Sequence, residues 1–230
     1  KLREYVQSLR HIWDCWATGS KLDYQGKYYQ FSLMTPFFNP GPSLYPAPTV
    51  FTGAVNAYNC QVAGEVCDGL MLHSLTSAEY VRNVVRPGLE KGAEKAGREG
   101  PPARLTGSGF IITGPNQSSI RAATAEVRRR IAFYASTRTY FPVLEAHGFE
   151  EIGVQLHQMS LKGEWAEMGE LISDEMVDAF AVTGEYDEIA GRFLERYGDL
   201  LDDVNFSPST DGPIEEVQLR RIIQQLQDGA

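Results

Sequence analysis

The segment covering residues 46–74 constrains the fold most, because short apolar runs alternate there with one amphipathic stretch. Residues 48–51 form a β-prone run, Ala57–Val66 has apolar residues at helical spacing, and residues 70–74 form a second short apolar run. A helix between two strands predicts a βαβ unit with parallel, buried strands. Such folds bind ligands at the carboxyl rim, the edge of the sheet where the strands end.

Two stretches of the chain are therefore predicted to lie side by side at the carboxyl rim. The first is the small-residue turn 52–56, and the second is the end of the next strand, with His73 followed by Ser74. Each also has a purely structural interpretation. Residues 52–56 are compatible with an ordinary tight turn, and a single histidine at a strand end is more often structural than functional.

Composition excludes several classes of protein. The chain has 230 residues, enough for one domain with a core, and its formal net charge of -9 without a basic stripe argues against a nucleic-acid partner. No apolar run approaches the roughly 18 residues of a membrane span, and no signal peptide is visible. Cys15, Cys60 and Cys67 lack metal-ligand spacing. We expect a cytoplasmic protein with reduced, packed cysteines, no metal site and no membrane partner.

The rest of the chain continues the alternation of helices and strands. We predict a first helix over residues 2–17, a hairpin over 21–31, a proline-rich loop over 36–48 and one strand over 104–113. A last strand is predicted at 203–207. Further helices are predicted at 77–96 with a kink at Pro87, 116–135 with a solvated Arg128–Arg130 run, 140–146, 150–159, 162–171, 174–180, 185–197 and 213–226.

This order predicts an α/β fold of the (β/α)8 TIM-barrel type with parallel strands and outer helices. A complete barrel has eight strands, and about four are recognised here. The chain opens at Lys1 inside a helical pattern without a cap. We therefore expect residues 1–230 to be one incomplete barrel domain, a truncated piece whose N-terminal strands are missing.

Several segments, taken in order, resemble the luciferase-like monooxygenase superfamily, in particular its branch that uses coenzyme F420. They are residues 2–13 (LREYVQSLRHIW), 22–31 (LDYQGKYYQF), 36–42 (PFFNPGP), 48–54 (PTVFTGA), 63–69 (AGEVCDG) and 182–185 (VTGE). The resemblance covers nearly the whole chain, although no single motif is decisive. It places the chain in the second half of the family's barrel, from the helix after strand four to the final helix.

The resemblance implies an oxidoreductase that moves a hydride between F420 and a small organic substrate. An FMN-dependent monooxygenase using molecular oxygen is the alternative. The implied cofactor-binding residues are Thr52, Gly53, Ala54, Val55, Asn56 and His73. Small residues allow a flat ring to approach the backbone, and the N terminus of the following helix offers N–H groups to a phosphate. The family's acid–base residues belong to the first strands, so no catalytic residue is named.

Two other interpretations stay open at this point. The chain is also compatible with a non-catalytic barrel remnant or subunit, whose exposed strand edges would pair with a second copy in a homodimer. A phosphosugar-type barrel enzyme is the weaker alternative. It requires a phosphate-binding glycine loop near the last strand, and residues 205–212 match such a loop poorly.

Overall fold

The computed structural model describes residues 1–100 and 102–229. Its strands are β1 (Tyr24–Gln25), β2 (Gln30–Phe31), β3 (Phe51–Gly53), β4 (Gly69–Met71), β5 (Arg104–Gly107), β6 (Phe110–Gly114), β7 (Ala181–Glu185) and β8 (Asp203–Val204). Its helices are α1 (Leu2–Thr18), α2 (Ala57–Val66), α3 (Ala78–Tyr80), α4 (Arg86–Lys95), α5 (Gln117–Ala135), α6 (Phe141–Glu145), α7 (Glu150–Lys162), α8 (Asp174–Phe180), α9 (Ile189–Tyr197) and α10 (Glu216–Asp228).

The centre of the molecule is a parallel sheet with the strand order β3, β4, β5, β8. Strands β3 and β4 flank α2, which confirms the predicted βαβ unit. The register aligns Leu70 with Leu105, and both side chains are fully buried in the core. The opposite side of the sheet, here called the open face, carries Phe51, Gly53 and Met71. Phe51 is 37% exposed and Met71 is 52% exposed. The described residues thus form an arc of the sheet and no closed barrel.

The prediction of one strand over residues 104–113 is wrong, because the chain breaks between β5 and β6. Gly109 has a φ of 67°, a left-handed conformation that interrupts an extended strand. After this break β6 leaves the main sheet and pairs in parallel with β7, while β5 pairs with β8. The break directs the chain from the central sheet into the parallel pair of β6 and β7, here called the second sheet.

Two further predictions in this region are corrected. Residues 185–197 were expected to be one helix, but Ala181–Glu185 is the strand β7 and the helix begins at Ile189. The helix predicted over 162–171 is absent: α7 ends at Lys162, where Gly163 follows with a φ of 78°, and the rest of the segment forms a 3₁₀ turn at Met168–Leu171. Within residues 1–100 and 102–229 there are six parallel strands (β3 to β8), where the sequence predicted about four.

The helix predicted over 77–96 begins as expected at Ser77, whose side chain accepts a hydrogen bond from the Tyr80 backbone N–H. Around the predicted kink, Val81–Val85 forms a π turn in which the N–H of Arg86 bonds to the carbonyl of Val81. Pro87 then lies in the first turn of α4, directly after the π turn, so the disturbance of the helix lies where the proline predicts it.

The N-terminal predictions hold. Helix α1 forms, and β1 pairs with β2 in an antiparallel hairpin.

The three cysteines are free and buried. Within residues 1–100 and 102–229 no helix is long and apolar enough to span a membrane, and no cluster of His, Cys, Asp or Glu has the arrangement of a metal site.

Candidate functional site

The structure brings the two predicted rim stretches together. Gly53 pairs with Met71 at the carboxyl ends of β3 and β4, so the turns that follow are neighbours. Ala54, Val55 and His73 line one small cavity of about 10 Å³. This volume is at the limit for a single water molecule, so the residues pack directly against one another. This cavity has no room for a ligand larger than water. Space for such a ligand exists only outside the cavity, on the open face.

The turn begins later than the sequence predicted, because Thr52 and Gly53 are the last residues of β3. Thr52 shares its register position with Leu70 and so points toward the helices. Gly53 lies on the open face, where an added Cβ would meet only the carbonyl oxygen of Met71, at 4.0 Å. The backbone at Gly53 is therefore open to a flat ligand, whereas Thr52 offers only its main chain.

Asn56 begins α2 as its N-cap. Its side-chain oxygen accepts a hydrogen bond of 2.9 Å from the N–H of Asn59. The first-turn N–H groups of Ala57 and Tyr58 have no partner within the helix, as in every α-helix. The amide side chain of Asn56 is thus committed to the helix, and the anion-attracting groups at this end are the backbone N–H groups.

Val55 has a structural role through its carbonyl group. The hydroxyl of Tyr80 donates a 3.0 Å hydrogen bond to this oxygen, and Cys60 Sγ lies 3.9 Å from it. Burial raises the pKa of Tyr80 to about 12 and that of Cys60 to about 11, so both groups stay protonated near neutral pH. The carbonyl of Val55 is therefore occupied by protein donors, and Ala54 beside it is buried.

His73 is held in an aromatic cluster with Tyr134 and Tyr140. The ring centroids lie 4.3 Å from Tyr134 and 4.6 Å from Tyr140. The N–H of Leu75 donates to His73 Nδ1 over 3.0 Å, so the neutral ring carries its proton on Nε2. Burial and the charge of Arg130 lower the pKa of His73. His73 is thus a neutral hydrogen-bond donor near neutral pH.

The arginine run in α5 is not the uniform solvated face that the sequence predicted. Arg128 bonds to Asp174 and to the carbonyl of Ile172. Arg129 pairs with Glu126 on the surface. Arg130 instead turns toward the second sheet, where it donates to Ser209 Oγ at 3.2 Å and lies 5.1 Å over the ring of Phe110. Tertiary contacts, which the helical pattern does not contain, separate the three side chains.

Asp68 lies at the opposite, amino end of the sheet. It accepts a 2.7 Å hydrogen bond from the N–H of Val50 and a 2.8 Å bond from Arg10. These two partners connect the start of β4 to the segment before β3 and to α1, which is a structural role. No described contact connects Asp68 with the carboxyl rim.

Sequence reasoning missed Tyr134 and Tyr140 beside His73, and Arg130 one helical turn before Tyr134 on α5. One signal was available, because Arg130 and Tyr134 are four residues apart and therefore share a face of α5. Their position against His73, however, depends on how α5 packs over the sheet.

Comparison with known proteins identifies the class to which this fold and rim belong. The family model for luciferase-like monooxygenases matches residues 1–203. The chain belongs to this family.

Relatives extend the comparison. An uncharacterized protein of Mycobacterium tuberculosis is 40% identical over 89% of this chain and 60% of its own length. A 5,10-methylenetetrahydromethanopterin reductase of Archaeoglobus fulgidus is 24% identical over 85% of this chain and 56% of its own length. The chain therefore spans somewhat more than half the length of these curated relatives.

A solved structure confirms the fold class. The coenzyme F420 dependent tetrahydromethanopterin reductase from Methanopyrus kandleri superposes with a TM-score of 0.68, at 20% identity, over 98% of this chain and 63% of its own. The predicted (β/α)8-barrel type of fold is thereby confirmed, with the described residues supplying a four-stranded arc of the sheet.

Proposed function

We propose that this chain belongs to an oxidoreductase that transfers a hydride between coenzyme F420 and a small organic substrate. The observation that carries the proposal is the bare backbone at Gly53, next to the N terminus of α2 and open on the side away from the helices. The similarity to the reductase of Archaeoglobus fulgidus and to the F420-dependent reductase of Methanopyrus kandleri supports the choice of cofactor.

The rim residues fit such a cofactor in different ways. Gly53 leaves the space that a side chain would fill, so a planar ring system can lie against β3. Backbone N–H groups at the start of α2 attract a phosphate. His73 offers its Nε2–H to an acceptor atom, while Ala54 and Val55 hold the turn in place through buried contacts. When bound, the deazaflavin supplies the hydride chemistry, and the protein orients it and excludes water.

FMN-dependent monooxygenation is the second candidate, supported by the chain's membership of the luciferase-like monooxygenase family. FMN has a similar tricyclic ring and a phosphate, so the same rim residues would contact it. The third possibility is a barrel remnant that binds no cofactor. It predicts that neither F420 nor FMN binds. Direct binding measurements separate these candidates.

The test is a fluorescence titration of the purified chain with F420 and, separately, with FMN. We expect F420 to bind more tightly than FMN. Gly53→Trp should weaken F420 binding at least about tenfold, a loss of about 1.4 kcal/mol or more, because the indole would occupy the ligand's space. Its thermal unfolding should change little, because Gly53 is exposed, its added Cβ has no neighbour closer than 4.0 Å, and the indole can extend over the open face.

Gly191→Trp is the matched control, because Gly191 is an exposed residue of α9 with no atom within 4 Å of an added Cβ. It should bind F420 like the wild type. Tighter binding of FMN would favour the monooxygenase. If neither cofactor binds, the proposal fails and the remnant interpretation gains support.

A further inference from the structure

Arg130 differs from the other arginines of its run in having no carboxylate partner among the residues that the structure describes. Arg128 and Arg129 each form an ion pair, with Asp174 and Glu126. The described side-chain partners of Arg130 are the hydroxyl of Ser209 and the ring of Phe110, neither of which neutralises a guanidinium charge. In a chain with a net charge of -9, an arginine without a counter-charge at a ligand-binding rim requires an explanation.

Arg130 lies on α5, on the same face as the tyrosine that packs against His73. Arg130 and Tyr134 are one helical turn apart on the same face, and the ring of Tyr134 lies 4.3 Å from that of His73. Tyr140 completes the cluster, with its ring 4.6 Å from His73 and 5.9 Å from Tyr134. Burial and, secondly, the positive charge of Arg130 lower the pKa of His73, which agrees with this placement.

The two side chains share one chemical property, because each offers a hydrogen-bond donor. The bond from Leu75 to Nδ1 leaves the His73 proton on Nε2. A guanidinium has five N–H donors and no acceptor, and the bond to Ser209 uses one of them. A cation and a neutral donor at the same rim match a phosphate or a carboxylate, which accepts from both.

We propose that Arg130 and His73 form an anion-binding subsite that takes a phosphate or carboxylate group of the ligand bound at the carboxyl rim. Tyr134 and Tyr140 hold the imidazole ring in position, and Ser209 orients the guanidinium. The subsite deepens the proposed function and rests on it for the identity of the ligand. The anion belongs either to the tail of the cofactor or to the substrate.

The test compares the wild type with Arg130→Gln and with Arg129→Gln as the matched control, since Arg129 is exposed and pairs only with Glu126. Each protein is titrated with F420 and with the tail-less deazaflavin chromophore, which lacks the phosphate. In parallel, the melting temperature of each protein is measured with and without inorganic phosphate. His73→Phe is included because it keeps an aromatic ring and removes the donor.

If the bound anion is the phosphate of the cofactor tail, Arg130→Gln and His73→Phe should each weaken F420 binding about tenfold or more. Binding of the tail-less chromophore should then be unchanged. An anion on the substrate predicts unchanged F420 binding, together with a phosphate-induced rise in melting temperature that Arg130→Gln abolishes. Arg129→Gln should behave like the wild type in both assays. Either pattern supports the subsite.

The proposal is overturned if Arg130→Gln matches the wild type in both F420 affinity and phosphate response. A lower melting temperature with unchanged ligand binding also overturns it, because Arg130 would then only fasten α5 to the second sheet. The two proposals fail separately. One result would separate them: the wild type does not bind F420, but phosphate raises its melting temperature and Arg130→Gln abolishes that rise. This result refutes the proposed cofactor and supports the subsite.

Discussion

The hydroxyl of Tyr80 donates a 3.0 Å hydrogen bond to the carbonyl oxygen of Val55, and this bond connects the helix after β4 to the turn after β3. Tyr80 is 2% exposed, so water does not compete for the bond. The turn that we assign to the cofactor is therefore positioned by a side chain from the neighbouring βα connection. The candidate site and the core of the protein depend on the same contact.

Tyr80→Phe should lower the free energy of unfolding by about 1 kcal/mol, because it removes the bond and leaves the Val55 carbonyl with only the distant Cys60 thiol. Urea unfolding followed by circular dichroism measures the change. Tyr45→Phe is the control, since Tyr45 is 80% exposed and should have no measurable effect. An unchanged midpoint for Tyr80→Phe would mean that the bond contributes nothing to the turn.

Glu65 joins three helices in a buried ion pair network. Arg3 from α1 and Lys95 from α4 both bond to its carboxylate, with Lys95 Nζ at 2.8 Å, although the carboxylate side chain is only 6% exposed. The bond from Arg3, and secondly that from Lys95, lower the pKa of Glu65 from 4.5 to about 2 against the opposing effect of burial. The folded state therefore favours the ionised carboxylate.

This pKa makes stability depend on pH in a defined window. Because the folded pKa lies below the unfolded one, the stabilisation is complete above pH 4.5 and is lost as the pH falls toward 2. Glu65→Gln should cost about 3 kcal/mol near neutral pH and flatten the acid limb of the stability profile. Chemical unfolding from pH 7 to pH 2 measures both effects. Glu126→Gln, at an exposed pair, should cost less than about 1 kcal/mol.

Helices α2 and α4 approach each other so closely that glycine is required between them. A Cβ at Gly92 would lie 2.0 Å from the carbonyl oxygen of Gln61, and one at Gly64 would lie 2.1 Å from that of Leu89. Gly92→Ala should therefore destabilise the protein by about 3 kcal/mol, since backbone atoms have no room to move. Gly191→Ala, in α9 with open space around it, should be neutral or stabilising by up to about 1 kcal/mol. Equal effects in urea unfolding would contradict the close packing.

Tyr197 is a second buried tyrosine, and it differs from Tyr80 in the hydrogen bonding of its hydroxyl group. Its side chain is equally buried, at 1% exposure, but its hydroxyl has no hydrogen-bond partner within the described part of the chain. Tyr197→Phe removes an unsatisfied polar group without changing the ring, so we expect it to raise the free energy of unfolding by about 1 kcal/mol. The sign is thus opposite to that for Tyr80→Phe in the same assay. A loss of stability in both variants would indicate that the Tyr197 hydroxyl has a bound partner.

The βαβ unit and its rim were predictable because their signals are local. Asn56 before Ala57–Val66 and Ser77 before the next helix act as N-caps, as their residue types indicate. Apolar runs on each side of α2 required two parallel strands, and the end of each strand then defined the rim. The positions of Gly53 and His73 followed from that order alone.

Other features required the folded chain. Strand β7 has an ambiguous five-residue sequence, and its parallel pairing with β6 decides its conformation. Similarly, Val55 was predicted to contact a cofactor through its backbone, but its carbonyl receives the Tyr80 hydroxyl from a residue 25 positions later in the chain. Sequence spacing carries no information about such contacts.

The sequence by itself determined the βαβ unit of β3, α2 and β4, the N-cap at Ser77, and which small residues lie at the carboxyl rim. Only the tertiary structure decided that Arg128 and Arg129 pair with carboxylates while Arg130 turns toward the ring of Phe110 and the hydroxyl of Ser209. The physical reason is that capping and hydrophobic periodicity act between near neighbours in the chain. The environment of a charge, in contrast, depends on distant segments that packing brings together.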